Sequence, residues 1–453
     1  MDIIEADNFG QLGESTMKTD KEVVNELGKA VVNVRPNHIN GGYEDYTLDD
    51  IRWIVTQFQV SDQVEVLPFP GKGNINLHTY EIKVEGLCYL LQKVNSSVFA
   101  FPYRVMNGMC QSIQAQRESL RVSSVENWEP IELVPTKEGK DFLDLTDEHG
   151  WSVWRLMVKI PDSCSFKSLS ELSDRDKQLE LAEEIGKGLA IYSDLTSSID
   201  ASTFEGSLPG YRDTALYFAQ FHSVLAGNRS MGDALALMPE DPVLKTSAGP
   251  HFVVSCPDEV YESRLNDPDV KRCIELIKSR ERFAMQLWEA MRVGLIRNTL
   301  IHGDTKIENF LFDTNSLTVK SLVDLDTIMS FTWLADYGDM LRSMVNVAGE
   351  KESNPDNIQV DKEVFKSVTK GFLKTSNQVT LAEIELMFAS IQIITLELGV
   401  RFLTDYIKGD TYFMLGEGDP EDLNKIRGIA QITLFERLVE FEDEAIEFIR
   451  SLV

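Results

Sequence analysis

The residues best suited to chemistry in this sequence lie within the stretch 302–326. Asp304 ends an HGD triplet that follows a short apolar run, and a carboxylate on such a tight turn can accept a proton from an attacking hydroxyl group. Five positions later, Asn309 supplies a neutral amide oxygen. Asp324 follows a second apolar run, where a carboxylate at the end of a strand is expected.

An aspartate, an asparagine and a second aspartate in this order are the components of a phosphoryl-transfer site. Magnesium in such a site is held by one or two protein carboxylates together with substrate phosphates and water. Each residue alone is more typical of a turn or a helix cap, but the joint spacing HGD-x4-N, then a strand and DLD, indicates function. His302 is expected to brace the loop, since Asp304 already fills the role of base.

The elements that must position these side chains change character along the chain. After Thr47, a predicted helix N-cap, come short strand-like runs, including 130–134 and 151–160, and one helix at 105–121. From about residue 170 onward, helical periodicity dominates, so we expect an α+β fold with a small antiparallel sheet lobe before a large helical lobe. The predicted divisions are an N-terminal extension, a nucleotide-binding lobe, and a helical lobe with the catalytic loop and acceptor site, at residues 1–45, 46–160 and 161–453.

Composition narrows the class of protein and its partners. The 453-residue chain carries a formal net charge of −29, which disfavours nucleic acid and anionic membranes as partners. Its five cysteines are scattered without a CxxC pair, which argues against a disulfide framework or a zinc site and favours a reducing compartment. The N-terminus lacks the pattern of a signal peptide, and the apolar run IQIITLELGVRFL is interrupted by Glu397 and Arg401. We therefore expect a cytoplasmic protein in which this run is a buried helix.

The stretch LIHGDTKIENFLFD resembles the catalytic loop of aminoglycoside phosphotransferases and choline kinases, which share a protein-kinase-like fold. Three further stretches are similar to the N-acetylhexosamine 1-kinase branch: GKGNINLHTYEIKV with the YLLQKVN that follows it, LPGYRDTALYFAQF, and LGVRFLTDYIKGDTYF. The HGD loop by itself indicates only the superfamily, whereas RFLTDYIKGDTYF is the more specific signal. The similarity extends from about residue 48 to residue 445.

This resemblance implies a bilobal kinase that uses ATP and Mg²⁺, with ATP between the sheet lobe and the helical lobe. Carried over residue by residue, it makes Asp304 the catalytic base and makes Asn309 and Asp324 the magnesium ligands. Asp326 would assist the metal or the sugar, although it could instead cap the following turn. Asp339 is expected to hold the catalytic loop through hydrogen bonds.

The predicted nucleotide contacts lie in the sheet lobe. Gly71, Gly73 and Asn74 belong to a turn between two strands, and glycines let backbone N–H groups approach phosphate, although a plain hairpin turn has the same composition. On a following strand, Gln92 and Lys93 point to opposite faces, so only one of them can face the nucleotide. We expect Lys93 in that role because it carries the charge.

Arg401 is the most informative acceptor residue, since a buried guanidinium in an apolar run needs a partner. It could pair with Glu397 one helical turn earlier, whereas the resemblance implies a role near the sugar, with Asp405 on the same helical face. Arg212 stands where the resembled family commonly has a histidine, which leaves the identity of the sugar open.

These features predict an ATP-dependent kinase that phosphorylates a sugar hydroxyl, with the anomeric hydroxyl of an N-acetylhexosamine (GlcNAc or GalNAc) as the first candidate. The alternatives are a kinase of the same fold acting on an aminoglycoside, choline or another sugar and, in a different class, a catalytically inactive nucleotide- or sugar-binding module. The expected partner is a small-molecule acceptor, and no pattern in the sequence indicates an oligomeric state.

Overall fold

The computed structural model describes residues 46–69, 75–147, 149–416 and 418–453. The predicted N-terminal extension and the predicted glycine turn with Gly71, Gly73 and Asn74 lie outside the described residues. The α-helices are α1 (Leu48–Val55), α2 (Pro102–Leu120), α3 (Arg175–Thr196), α4 (Thr214–Leu225), α5 (Pro242–Ala248), α6 (Asp258–Asn266), α7 (Pro268–Ala284), α8 (Gln286–Arg292), α9 (Trp333–Val345), α10 (Lys362–Thr375), α11 (Leu381–Lys408) and α12 (Leu423–Ser451). The strands are β1 (Glu65–Pro68), β2 (Thr79–Val84), β3 (Leu87–Lys93), β4 (Leu143–Asp147), β5 (Gly150–Val158), β6 (Ser163–Cys164), β7 (Thr299–Ile301), β8 (Phe310–Asp313), β9 (Val319–Leu322) and β10 (Met329–Phe331).

The described residues divide into two compact units. The first unit comprises the described residues up to Ile113 and Ile131–Pro161, and the second comprises Gln114–Pro130 and Asp162–Val453. The excursion at 114–130 joins the second unit through hydrogen bonds such as that from the Ser119 hydroxyl to the Leu195 carbonyl at 2.9 Å. The chain thus leaves the first unit after Ile113 and returns to it at Ile131, and the predicted lobe bounds 46–160 and 161–453 stay a prediction.

The first unit is built on a five-stranded antiparallel sheet in the order β1–β2–β3–β5–β4. Alternation along β2 and β3 buries Ile82 and Leu91 in the apolar cluster that contains the buried residues of α1. Helix α1 begins at the predicted N-cap, where Thr47 and Asp50 form a reciprocal capping box. The predicted antiparallel sheet and this helix start are confirmed.

The second unit is mainly helical and is organised around α11. This helix packs against α12, α9 and α4, and buried residues such as Leu396, Leu403 and Phe435 lie in the shared core. The prediction that IQIITLELGVRFL is a buried helix is confirmed, since the run lies within α11. Among the described residues, α11 is the helix that could cross a membrane by length and composition, yet 78% of its apolar window is buried inside the protein, as in a core helix.

Short strands carry the predicted motif region between the helices. Strand β7 pairs with β10, and β8 pairs with both β6 and β9, all antiparallel. A backbone hydrogen bond of 2.8 Å from Val323 to the Asn309 carbonyl fixes the end of β9 beside the start of β8. The strand–loop–strand arrangement predicted for 300–326 is therefore confirmed.

One local prediction from the sequence is wrong. Residues 130–134, which look strand-like, make only an isolated bridge from Leu133 to Met157. The helical periodicity at 270–296 is confirmed, and Met285 divides the stretch into α7 and α8. The apolar spacing continues across Met285, so the pattern alone could not locate the break.

Candidate active site

The candidate catalytic loop begins where β7 ends. His302 is fully buried; its Nε2 atom lies 2.8 Å from the Val323 carbonyl oxygen, and its Nδ1 atom lies 3.3 Å from the Asp304 backbone nitrogen. Gly303 has a φ of +83°, and a Cβ atom there would come within 2.5 Å of the Thr327 carbonyl oxygen. Only glycine fits this turn, and the imidazole braces the loop as the sequence predicts.

A buried carboxylate from α9 holds the backbone of this loop. Asp336 accepts the His302 N–H at 2.6 Å and the Gly303 N–H at 2.8 Å, and its own carbonyl accepts the Thr305 hydroxyl at 2.7 Å. Burial raises the pKa of Asp336. The sequence assigned this role to Asp339, which is wrong: the side chain three residues later starts about 4.5 Å further along the helix axis and binds two arginines instead.

Two polar side chains converge on one oxygen of Asp304. The Oδ2 atom lies 2.9 Å from the Lys306 ammonium group and 3.2 Å from Asn309 Nδ2, which also donates to the Asp304 carbonyl at 2.7 Å. The side chain of Asp304 remains 30% exposed, and its contacts with Lys306 and Asn309 both use Oδ2. A carboxylate held in this way is suited to accept a proton on Oδ1.

Lys306 lies in the site but was not predicted from the sequence. Its ammonium group lies 4.0 Å from Glu308 as well as 2.9 Å from Asp304. Burial disfavours the charged form of Lys306, but the negative charges of Asp304, Asp324 and Glu308 outweigh burial and raise its pKa to about 12. The signal was present in the sequence, because alternate residues of an extended segment face the same side and Lys306 follows Asp304 by two positions.

The two predicted magnesium ligands lie at adjacent strand ends. Asn309 immediately precedes β8, and Asp324 follows β9 with a left-handed φ of +66°. Both amide hydrogens of Asn309 go to Asp304, so its Oδ1 atom points away from that residue. An amide oxygen and a carboxylate are hard ligands that suit Mg²⁺. These donor types therefore fit the ion.

The described residues contain no group of three or more His, Cys, Asp or Glu side chains that could hold a metal ion. A magnesium site formed by Asn309, Asp324, phosphate and water stays a prediction. Asp326 is buried, and its backbone carbonyl accepts the Ser207 hydroxyl at 2.5 Å. A contact of Asp326 with metal or sugar stays a prediction.

Lys93 and Gln92 lie on opposite faces of β3, as their adjacent positions require. The Lys93 ammonium group lies 3.2 Å from the Tyr46 hydroxyl and 4.8 Å from the centre of the same ring. On the other face, Gln92 Oε1 accepts Arg155 Nε at 3.0 Å. Contact between Lys93 and a nucleotide phosphate stays a prediction.

The guanidinium group of Arg401 lies among aromatic rings. Its central carbon lies 4.7 Å from the ring centre of Tyr217, and 5.4, 5.5 and 5.4 Å from those of Tyr211, Tyr412 and Phe413. Its Nη2 atom donates to the Tyr412 hydroxyl at 3.2 Å. Among the described residues, no carboxylate lies within 4.0 Å of this guanidinium group. Ring faces stabilise a cation without neutralising it, so Arg401 keeps its charge.

These aromatic residues connect Arg401 to the catalytic loop. The Tyr211 hydroxyl donates to the Gly303 carbonyl at 2.9 Å, next to Asp304. Burial raises the pKa of Tyr211 to about 12, so its hydroxyl remains a donor at neutral pH. The structure thus brings Arg401 close to the predicted base. Tyr211 and Tyr217 were not predicted, although their spacing in GYRDTALYF would put both near the start of one helix.

Asp405 anchors the loop that follows α11. Its carboxylate is 2% exposed and accepts the backbone N–H groups of Thr411, Tyr412 and Phe413 at 3.1, 2.9 and 2.8 Å. It also lies 3.0 Å from the buried Lys408 ammonium group. In the structure Asp405 positions two of the rings around Arg401, and direct contact between Asp405 and a sugar stays a prediction.

A buried charge network lies beside the same loop. Arg212 is 3% exposed; its Nη2 atom lies 2.8 Å from Asp339 and 3.3 Å from the Gly303 carbonyl, and its Nη1 atom lies 3.6 Å from Glu397. Arg342 binds the other oxygen of Asp339 at 2.8 Å. Burial opposes ionisation of Asp339, but the two guanidinium groups outweigh burial and lower its pKa to about 2. Asp339 is therefore ionised at neutral pH.

Comparison with known proteins identifies the fold. No protein-family model matches the chain. The structure is similar to that of a microcompartment-associated aminopropanol kinase, at 12% sequence identity and a TM-score of 0.52, over 88% of this chain and 98% of that chain. It is also similar to that of an amicoumacin kinase in complex with AMP-PNP, Ca²⁺ and Ami, at 14% identity and a TM-score of 0.50, over 85% and 93% of the two chains. Structural similarity at such low sequence identity establishes the fold alone. It confirms the predicted kinase-like α+β class.

Proposed function

We propose that this protein is an ATP-dependent kinase that transfers a phosphoryl group to a hydroxyl group of a small, uncharged acceptor. The observation that carries the proposal is the arrangement around Asp304, where Lys306 and Asn309 contact one carboxylate oxygen. The backbone bond between Val323 and Asn309 keeps Asp324 at the adjacent strand end. A base, a cation and two hard oxygen ligands are the groups that phosphoryl transfer needs.

In this proposal Asp304 receives the proton of the attacking hydroxyl at Oδ1, because Lys306 and Asn309 engage Oδ2. The Lys306 ammonium group stays charged at neutral pH and offsets negative charge on the transferred group. His302 and Asp336 keep the loop backbone in place and take no part in proton transfer.

ATP is the proposed phosphoryl donor. The amicoumacin kinase of the same fold was solved with AMP-PNP, an analogue of ATP, which supports this choice. Asn309 Oδ1 and the Asp324 carboxylate would hold Mg²⁺, whose chemistry when bound is to neutralise charge on the phosphates. Nucleotide contacts from the glycine turn and from Lys93 remain part of the proposal.

The proposed acceptor is a neutral sugar, with the anomeric hydroxyl of an N-acetylhexosamine as the first candidate. Aromatic rings commonly bind ammonium ligands. Here, however, the rings already contact the guanidinium group of Arg401. A cationic acceptor such as choline or an aminoglycoside would meet a like charge, which is unfavourable. The remaining N–H donors of Arg401 suit hydroxyl or acetamide oxygens, and the resemblance of RFLTDYIKGDTYF supports the hexosamine.

The test is an acceptor panel with the full-length protein, ATP and MgCl₂. ADP release is measured with GlcNAc, GalNAc, glucose, choline, ethanolamine and an aminoglycoside, and ³¹P NMR identifies the phosphorylated hydroxyl. We expect turnover with an N-acetylhexosamine and an anomeric phosphate as the product. Turnover with choline or the aminoglycoside instead would contradict the proposed acceptor but still support the proposed kinase activity.

The same panel separates a kinase from an inactive binding module. A module would consume no ATP with any acceptor, although calorimetry would still detect binding of nucleotide or sugar. That result would contradict the proposed kinase activity, because the contacts of Asp304 with Lys306 and Asn309 would then serve binding alone.

A further inference from the structure

Glu397 could pair with either of two arginines. It lies four positions before Arg401 on α11, a spacing at which a glutamate and an arginine readily pair. In the structure, however, Glu397 Oε1 lies 3.6 Å from Arg212 Nη1, and Oε2 accepts the Thr214 hydroxyl at 2.9 Å. The Glu397 side chain is 1% exposed, so solvent cannot replace a missing partner.

The choice of partner leaves the two arginines in different states. Arg212 is neutralised by Glu397 together with Asp339, which lies 2.8 Å from it. Arg401 has aromatic neighbours and, among the residues that the structure describes, no carboxylate within 4.0 Å. Donors of Arg401 that would otherwise bind Glu397 are therefore left for another group.

We propose that Arg212 is a specificity-determining residue for the acceptor, because it holds Glu397 away from Arg401. This inference rests on the proposed function. Without a guanidinium group at position 212, Glu397 would be a buried carboxylate whose closest remaining cation on its own helix is Arg401. An ion pair between them would use donors of Arg401 and neutralise its charge. Arg212 thus keeps Arg401 ready for a neutral, oxygen-rich acceptor.

The backbone and the side-chain contacts of Arg212 suit this role. Its φ of +61° is left-handed, and its backbone N–H donates to the Tyr217 hydroxyl at 3.0 Å. Its Nη2 atom binds Asp339 and the Gly303 carbonyl, which directs Nη1 to Glu397. A guanidinium group is always charged, so Arg212 remains a cation in this buried position.

A double-mutant cycle tests the proposal through acceptor KM. We expect Arg212→Gln to raise the KM of the acceptor about tenfold, while the KM of ATP changes less than about twofold. Adding Glu397→Gln removes the carboxylate that would capture Arg401, so the double variant should recover an acceptor KM within about threefold of wild type. A loss caused by general disruption would not be rescued by a second buried substitution.

Arg342→Gln is the matched control, because it removes the other guanidinium group from Asp339, and the ion pairs of Arg342 among the described residues are with Asp339 and Glu350. It should lower stability and leave acceptor KM within about twofold of wild type. If Arg212→Gln does not fold, the cycle is run with Arg212→Met. An unchanged acceptor KM in the single variant, or a double variant as impaired as the single one, overturns the inference.

A crystal structure of the Arg212→Gln variant gives a readout that does not depend on activity. We expect a carboxylate oxygen of Glu397 within about 4 Å of the Arg401 guanidinium group, the distance of an ion pair. Glu397 remaining on the Thr214 side would overturn the inference even if the enzyme is a kinase. If the wild type phosphorylates no acceptor, the proposed function fails, and this distance still decides whether Arg212 holds Glu397 away from Arg401.

Discussion

The catalytic loop and the acceptor cluster are held together in different ways. The catalytic loop, residues 302–309, is one short segment whose backbone N–H groups bind a single buried carboxylate, that of Asp336. The acceptor cluster, defined as Arg212, Glu397 and Arg401 with the rings around Arg401, combines segments that are 183 positions apart at the Thr214–Glu397 contact. Its members are joined by charge pairs and ring contacts between side chains.

This difference separates chemistry from selectivity. Backbone hydrogen bonds fix the path of the loop, so a change there should affect the reaction with every acceptor. Charged side chains can exchange partners, so a change in the cluster should alter which acceptor binds and leave the proton transfer intact. The loop should therefore govern kcat, and the cluster should govern the KM of the acceptor.

The largest expected effect tests the loop. Asp304→Asn should lower kcat by about 10²–10⁴-fold, because an amide cannot accept the hydroxyl proton. Steady-state kinetics should show the KM values of ATP and acceptor changed by less than about threefold. Asp356→Asn, a change at an exposed position, is the control and should be indistinguishable from wild type. Full activity in Asp304→Asn would remove the basis for assigning chemistry to this loop.

The second prediction concerns the support of the loop. Asp336→Asn replaces one of two acceptors with a donor, so a buried backbone N–H is left without a partner. The free energy of unfolding in urea should fall by about 1–3 kcal/mol, and kcat should fall with every acceptor. Asp361→Asn is the control, because asparagine caps a helix about as well as aspartate does. Loss of stability without loss of kcat would show that loop position and catalysis are separable.

The third prediction tests the acceptor cluster. Arg401→Gln should raise the KM of the acceptor about tenfold or more, as expected when a hydrogen bond from a charged donor is lost. The kcat value should stay within about threefold of wild type, and discrimination against choline should weaken. Arg450→Gln on the surface of α12 provides the control. A loss in kcat with unchanged acceptor KM would contradict the division between loop and cluster.

The smallest expected effect is a dependence of stability on pH. Although burial opposes ionisation, Arg212 and Arg342 lower the pKa of Asp339 to about 2 in the folded protein, from an ordinary value of 3.8. Between these values the unfolded chain binds a proton that the folded protein does not, so stability should fall as pH falls from about 4 to about 2. Urea unfolding at several pH values should show a shallower fall in Asp339→Asn. An equal fall of stability with pH in the variant and the wild type would mean that Arg212 and Arg342 do not keep Asp339 ionised.

Sequence patterns sufficed for the parts of the site that are contiguous. Asp304, Asn309 and Asp324 were predicted because turns and strand ends place near neighbours in the chain near one another in space. Lys306 carried a readable signal, its two-residue spacing from Asp304. The choice between Asp336 and Asp339 was not readable, since both lie in one helix and only its docking decides which carboxylate reaches the loop.

A resemblance of the HGD loop implied the kinase-like fold. The sequence patterns by themselves determined the α+β class and the strand–loop–strand motif that carries Asp304, Asn309 and Asp324. Those features depend on local periodicity, turn chemistry and short spacings, which act before distant segments meet. Only the tertiary structure decided that Glu397 binds Arg212, that Arg401 lies among aromatic rings, and that Asp405 anchors a loop. The physical reason is that a buried charge takes the partner that packing brings within a few ångströms, and packing joins segments whose separation in the chain carries no such information.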